Sequence, residues 1–415
     1  MGLEQGRADS PADDAAPSGE AVADVPLRVI AREWGRIGVT GFGGPPAHIA
    51  LLRGLCVTNR RWIPAGEFED AIAACNLLPG PASTQLAIWC GYRLRGRAGA
   101  VVAGLCFICP GLVMILALAA LFLAAHPPTW VLGAAAGAGA AVPAVAVHAA
   151  WGLAPASWNR IQDPRQPGRH APRAARVRWI VYALIGGAAA ATIGPYLVLI
   201  LIACGVIEIG VRIRPGAAGN PVSPKAALPL ALPAAAATGG LAALAWTAFK
   251  VGALSYGGGF VIIPLMQHDA VSTYHWMTGA QFLDAVALGQ ITPGPVVLTT
   301  GVVGYAAAGI GGGLLAVAVA FSPSFAFILL GGRHFDRLRR NQPVQAFLTG
   351  AGPTVIGAIA GSAIPLARAL SHDWQYLLLA AAALWLFAAR RGVVSTLLLA
   401  AACGVIAALA GAAVS

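Results

Sequence analysis

Charged side chains are scarce in this chain. Asp, Glu, Lys and Arg make up 10% of its 415 residues, against about 25% in an average soluble protein. A soluble fold of this length would lack the polar side chains to cover its surface. That excludes a cytosolic enzyme, a secreted module and a nucleic-acid-binding domain. Acid is scarcer than base, with 16 Asp and Glu against 27 Lys and Arg. Six of the acids (Glu4, Asp9, Asp13, Asp14, Glu20, Asp24) fall before residue 25. The seven cysteines (56, 75, 90, 106, 109, 204 and 403) are odd in number and lie mostly inside apolar runs, which argues against a disulfide framework. Cys106-x-x-Cys109 sits in a helix-length apolar segment and reads as small packing residues. No metal-ligand spacing is visible, nor any Ser/His/Asp or Cys/His arrangement. No catalytic residue, metal or cofactor is therefore expected.

What is abundant is apolar sequence: 58% of the residues, recurring from about residue 25 to the C-terminus. This is the pattern of an all-α polytopic membrane protein. Gly (52) and Pro (29) are also plentiful, as suits transmembrane helices that are interrupted by design. Residues 1–24 lack the basic start and apolar stretch of a signal peptide and read as a disordered acidic cytoplasmic tail.

The chain repeats itself. Residues 38–81 match 252–295 at a constant offset of 214: Gly43-Gly44 on Gly257-Gly258, Trp62 on Trp276, Phe68 on Phe282, Asp70 on Asp284, and Pro79-Gly80-Pro81 on Pro293-Gly294-Pro295. After a one-residue gap the match continues, with Gly91-Tyr92 on Gly304-Tyr305, Gly96 on Gly309 and Pro110 on Pro323. The chain is two related halves.

Arginine placement gives their relative sense. The segments 156–178 and 212–225 are basic and should be cytoplasmic by the positive-inside rule. In the N-half, Arg53, Arg60, Arg61, Arg93, Arg95 and Arg97 flank the motif segments; their counterparts at 267–275 and 306–310 carry no Lys or Arg, and the next basic cluster is at 333–340. The halves thus run in opposite senses, an inverted-repeat transporter architecture. The expected organisation is a tail (1–24), an N-terminal repeat (25–211), a basic linker with an inverting helix (212–245) and a C-terminal repeat (246–415). Apolar spans are expected at 99–124, 129–150, 226–243, 311–332, 343–369 and 392–413, and shorter ones at 179–192, 194–211 and 374–389. The motif stretches 27–57, 65–92, 246–272 and 280–306 are each broken at the middle. Their half-segments are too short for the roughly 20 residues of a full span. They read as re-entrant hairpins or broken helices, although steeply tilted short spans would give the same pattern.

The breaks carry the chemistry. Pro-Gly-Pro in an apolar segment ends one helix and starts another. The new helix presents free N–H groups and its positive dipole end at membrane depth, an anion site made of backbone. Ser83 and Thr84, or Thr299 and Thr300, stand beside it. Ionisable residues in the apolar pattern are candidates by default. Arg36 and Lys250 are repeat mates that precede the Gly motifs and would supply charge to an anionic substrate or snorkel to the interface. Asp70 and Asp284, also repeat mates, would carry a coupling proton or pair with Arg. Asn76 and Gln290 are matched amides three residues before each Pro-Gly-Pro. Glu33 and Glu208 lack matched partners and are weaker candidates. His48 lies just after the first break.

The segments GFGGPPAHIALL…RRW…DAIAACNLLPGP and SYGGGFVIIPL…HWMT…FLDAVALGQITPGP resemble the two signature segments of the chromate ion transporter (CHR) family, long two-domain type. The resemblance spans about residues 30–410. It implies a plasma-membrane carrier that exports chromate, a tetrahedral dianion like sulfate, driven by the proton motive force and conferring chromate resistance. Two departures are Leu55-Cys56, where members often have an acid before Arg-Arg-Trp, and Asn76, where Gln is common. The substrate would sit between the breaks, held by Arg36, Gly43, Gly44, Asn76, Pro79, Gly80, Pro81, Ser83, Lys250, Gly257, Gly258, Gln290, Pro293, Gly294, Pro295 and Thr299. Its partners would be the anion, with sulfate as the alternative cargo, and the lipid bilayer. A homodimer stays open, and no nucleic acid is expected.

Overall fold

A computed structural model of the chain describes residues 25–75, 80–159, 161, 172–192, 197–212, 240–255, 262–331 and 341–413. The acidic tail, Asn76, Pro79, Gly257, Gly258, the start of the 226–243 segment and the 333–340 cluster lie outside these residues. Among the described residues every regular element is helical. The N-half contains α1 (Leu27–Thr40), α2 (Pro45–Arg53), α3 (Ala65–Cys75), α4 (Ala82–Phe122), α5 (Thr129–Asn159), α6 (Arg173–Thr192) and α7 (Leu197–Arg212). The C-half contains α8 (Gly240–Leu254), α9 (Ile262–Gln267), α10 (Gly279–Ile291), α11 (Thr299–Gly331), α12 (Gln342–Arg368), α13 (Asp373–Phe387) and α14 (Val393–Leu409). Five stretches are long and apolar enough to cross a membrane: α4, α5, α6, α11 with its leading turn, and α12. Large apolar side chains such as Val113, Leu330 and Leu377 point outward, as a lipid-facing surface requires.

The repeat extends to backbone detail. Both α2 and α9 run on into one turn of π-helix, Gly54–Asn59 and His268–Thr273. Each turn is followed by a residue at positive φ, Arg61 (50°) and His275 (52°). Each is closed by the same bond, Trp62 N–H to Cys56 O (2.8 Å) and Trp276 N–H to Ala270 O (2.9 Å). Likewise α4 and α11 are not single rods. Arg95 (φ −148°, ψ 31°) and Gly96 (φ 57°, ψ −148°) fold α4 back on itself, and Ala308 (φ −155°, ψ 32°) with Gly309 (φ 63°, ψ −155°) does the same in α11. The second residue of each turn occupies a region that only Gly enters readily. Behind each turn the two arms touch backbone to backbone, Gly91 on Gly99 and Gly304 on Gly312.

The motif segments are re-entrant. Near the start of α3, Glu67 is ion-paired with Arg93 at the end of the inner arm of α4. This 65–94 segment therefore returns to the level at which it began. The first hairpin does the same, since Glu33 on α1 meets Arg60 after α2 at 3.1 Å. The steeply tilted span is thereby set aside for the N-half. The inversion follows. The outer arm of α4 leaves from the base of the hairpin at Arg97 and ends at Phe122, on the far side. There Phe122, Leu123 and Pro127 line one cavity together with Thr278 and Gln281, at the start of α10. So α10 begins at the opposite end of the molecule from α3, its repeat mate.

The halves exchange partners as a two-fold arrangement demands. The N-half α5 packs on α13 and α14, while the C-half α12 packs on α6 and α7. Within each half the first helix lies on the folded one, α1 on α4 and α8 on α11. One expectation needs adjusting. The basic segment 156–178 is helical at both ends, because α5 continues to Asn159 through Pro155 and α6 begins at Arg173. The reason is electrostatic as well as steric. Arg178 and Arg212 both bind the buried Glu208 carboxylate, at 2.9 and 2.7 Å, and Tyr182 donates to it at 3.2 Å. That cluster fastens α6 to α7.

Candidate functional site

The tips of two hairpins from opposite halves meet. In the N-half, α1 ends at Gly41, and Gly43 (φ 99°) and Gly44 (φ 71°) turn the chain into the Pro45-Pro46 start of α2. In the C-half, α10 ends at Thr292, and Pro293-Gly294-Pro295 leads through a single 3-10 turn, Val296–Leu298, into α11. The Gly294 N–H donates to the Gly41 carbonyl at 3.0 Å. The joint is direct backbone contact between halves. It closes because Gly111, on the outer arm of α4, lies against the Pro293 carbonyl with no room for a side chain. On the N-half side, Gly80 (φ 124°) is buried beside Ser324 of α11, whose hydroxyl is 3.1 Å from where a Cβ would stand. Ser324 is the repeat mate of Gly111 at the offset of the matched Pro110 and Pro323. Each outer arm thus covers the Pro-Gly-Pro of the other half.

Polar atoms are left over at this junction. Thr84 Oγ1, Ser255 Oγ, Ser324 Oγ and Gln290 Nε2 are buried and have no hydrogen-bond partner. Each lies within four residues of a break or, for Ser324, against Gly80. A buried polar group left unsatisfied costs about 1–3 kcal/mol, so a set of them around two helix starts is expensive for an empty protein. The N–H groups of Ala82 and Ser83 head α4, and those of Val296 and Val297 lead into α11, where a helix has no internal acceptors to offer. Hydroxyls, an amide N–H and helix starts are together a donor set for an oxyanion. Ser83 Oγ lies 3.3 Å from His48 Nδ1, and Thr299 Oγ1 donates back to the Val296 carbonyl at 2.8 Å. Pro81 and Pro295 are both buried, each as the extended residue just before its helix.

No fixed cation completes the junction among the described residues. Arg36 is 66% exposed and pairs with Glu33 at 3.1 Å. Lys250 pairs with Asp269 at 2.5 Å, and Thr247 donates to the same carboxylate at 2.9 Å. The expectation that these repeat mates bring free charge to the anion therefore meets a structure in which each is neutralised within its own hairpin. The acids change places between halves. Glu33 stands where the C-half has Thr247, and Asp269 stands where the N-half has Leu55. The offset of 214 sets Asp269 opposite Leu55, so the acid missing from the N-half stands in the C-half. The aspartate repeat mates also part company. Asp70 is exposed on α3, whereas Asp284 is buried on α10 against Gly139. Asp284 lines the cavity of about 360 Å³ at the α10 end, with His372 and Gln375. Sequence reasoning missed Ser324, because a hydroxyl in an apolar helix gives no signal until its neighbours are known, and Ser255 was read as part of the second Gly motif but not as a donor.

Comparison with known proteins agrees with this architecture. The family model described as chromate transporter matches residues 29–209 and again 242–408, once per half. The chain is 32% identical to the chromate transport protein of Cupriavidus metallidurans, over 85% of this chain and 86% of that one. It is 32% identical to the chromate transport protein of Pseudomonas aeruginosa, over 80% and 79%. A probable chromate transport protein of Synechococcus elongatus is 28% identical over 86% and 89%. No solved structure matches the chain. With two inverted halves, re-entrant Pro-Gly-Pro hairpins and a family match across both, this chain belongs to the chromate transporter family.

Proposed function

We propose that this protein carries chromate out of the cell across the plasma membrane, driven by the proton motive force, and so confers chromate resistance. The observation that carries the reading is the junction of the two hairpin tips together with the partner-free donors of Thr84, Ser255, Ser324 and Gln290, which lie within four residues of a break or against Gly80. A tetrahedral dianion offers acceptor oxygens in every direction and meets such a set without needing a fixed cation. Backbone and hydroxyl donors held at membrane depth stabilise it as the broken helices of other transporters do. The names of the relatives make chromate the first cargo to test. Sulfate is the alternative, because the donors recognise oxygen geometry and not the central atom. The N-terminus and the bases of the N-half hairpins, rich in Arg, face the cytoplasm. The deciding experiment is flux of radiolabelled chromate and sulfate into inverted membrane vesicles, with and without a proton electrochemical gradient. Uptake of chromate that collapses when the gradient is dissipated is the expected result. Uptake of sulfate alone, or no dependence on the gradient, would overturn the cargo or the coupling respectively.

A further inference from the structure

His48 sits one turn into α2, behind the first tip, and is fully buried. Its Nε2 is 2.9 Å from the Gly41 carbonyl oxygen, the same oxygen that receives the Gly294 N–H. A carbonyl can only accept, so Nε2 carries a proton. That fixes the tautomer: in neutral His48 the other nitrogen, Nδ1, is an acceptor. Its neighbour at 3.3 Å is the hydroxyl of Ser83, which therefore points its hydrogen at the imidazole.

We propose that His48 binds a proton together with the transported oxyanion, and that Ser83 is the group that couples the two. The inference rests on the oxyanion reading of the junction given above. When Nδ1 gains a proton it becomes a donor, and Ser83 must turn round to accept from it. The hydroxyl hydrogen of Ser83 is then free to donate elsewhere. Ser83 stands in the first turn of α4, beside Thr84 and its partner-free hydroxyl. One protonation thus moves a donor from the protein to the anion and places a positive charge behind it.

The surroundings make the two events depend on each other. Besides Gly41 and Ser83, the imidazole meets the edge of Phe107, with ring centres 5.0 Å apart. No charged side chain of the packed elements faces it among the described residues. On α1, Glu33 and Arg36 pair with each other, and Arg28 and Arg32 are exposed. On α2, Arg53 pairs with Glu69; on α4, Arg93 pairs with Glu67, and Arg95 and Arg97 are exposed at the turn. The π-turn Gly54–Asn59 has Cys56 as its one titratable side chain, and Asp284 of α10 lies against Gly139 in the cavity at the far end. An imidazolium here is a buried, unpaired cation, which is costly. A bound dianion removes that cost. By linkage, the factor by which the anion raises proton affinity equals the factor by which the proton raises anion affinity. The repeat mate of His48 is Ile262, so the two halves together hold one such device and one proton per anion.

The test is proton uptake on binding. Detergent-purified full-length protein is mixed with chromate at about pH 7.5, within the range where histidine titrates and where chromate is already mostly the dianion. Bound chromate is measured by equilibrium dialysis and proton uptake with a pH dye in weak buffer. The wild type should take up close to one proton per chromate bound. His48→Gln keeps an N–H for Gly41 and should bind chromate at least about tenfold more weakly, with no uptake. Ser83→Ala should also bind weakly and lose most of the uptake, although His48 remains. Chromate binding without proton uptake in the wild type, or uptake unchanged in His48→Gln, would overturn the proposal and leave the oxyanion site intact. Should His48→Gln fail to fold, the wild-type stoichiometry and Ser83→Ala decide. No chromate binding by the wild type would overturn the functional reading itself, and this inference with it.

Discussion

Gly80 and Gly294 hold φ of 124° and 105°, where a residue with a Cβ is strained by roughly 1–3 kcal/mol. Space is as restrictive as conformation: a Cβ on Gly80 meets Ser324, and one on Gly294 meets the Leu298 side chain at 3.1 Å. Replacing either by Val should abolish chromate flux while the protein still inserts, because insertion depends on the total apolarity of spans that the change does not touch. Flux and membrane content of Gly80→Val and Gly294→Val would be measured in the same vesicles. Normal flux from either would reduce the Pro-Gly-Pro to a packing kink. At this scale the sequence marks where the backbone breaks but not what each break faces. The matched Pro-Gly-Pro and Gly-Gly motifs were legible because Gly and Pro act on their own backbone. Arg36 and Lys250 were legible as positions, yet their partners Glu33 and Asp269 lie on elements that only folding brings together.

In the paired hairpins, charge is neutralised by two different routes. The N-half places its acid on the first helix, at Glu33, and the C-half on the π-turn, at Asp269. Lys250 is only 18% exposed and Asp269 8%, so removing the amine leaves a buried carboxylate with no cation and only the Thr247 hydroxyl as donor. Lys250→Gln should cost about 3–5 kcal/mol of stability, whereas Arg36→Gln should cost no more than about 1 kcal/mol, since Arg36 is exposed and Arg60 still binds Glu33. Thermal unfolding in detergent reads both. The element scale also shows how far pattern reading reached. The interruptions of the motif segments followed from Gly and Pro. That α3 and the inner arm of α4 form a returning hairpin did not, because a short tilted span has the same composition. The Glu67–Arg93 pair separates the two. The turns at Arg95-Gly96 and Ala308-Gly309 were likewise hidden, since one Gly in an apolar run is compatible with a straight helix.

For the whole molecule, inversion was legible in the distribution of Arg because orientation is set by charge near the ends of spans. The exchange of α5 and α12 between halves was not, because nothing in a helix's own sequence names the helix it packs on. The inversion has a direct test at the two folded helices. Arg95 and Ala308 are repeat mates at exposed turns. In a background without the seven native cysteines, Arg95→Cys and Ala308→Cys should react with an impermeant thiol reagent from opposite sides of the membrane. Labelling from one side only would leave the halves parallel.

The neutrality of the hairpin junction has an electrical consequence. Its donors are hydroxyls, an amide and backbone N–H groups, and the breaks at 76–79 and 256–261 contain no charged residue in sequence. Among the described residues no Lys or Arg stands free at the junction to cancel the anion. If the proposed export carries one proton on His48 with each dianion, every cycle moves one net negative charge. That net negative charge feels the membrane voltage, about 2.3 kcal/mol per elementary charge per 100 mV. A cell negative inside would expel chromate electrophoretically, so the voltage component of the proton motive force drives this export and the pH component opposes it. Proteoliposomes loaded with chromate and clamped by potassium diffusion potentials should therefore release it faster when the interior is made negative. They should also carry an outward flow of negative charge that disappears with Gly294→Val.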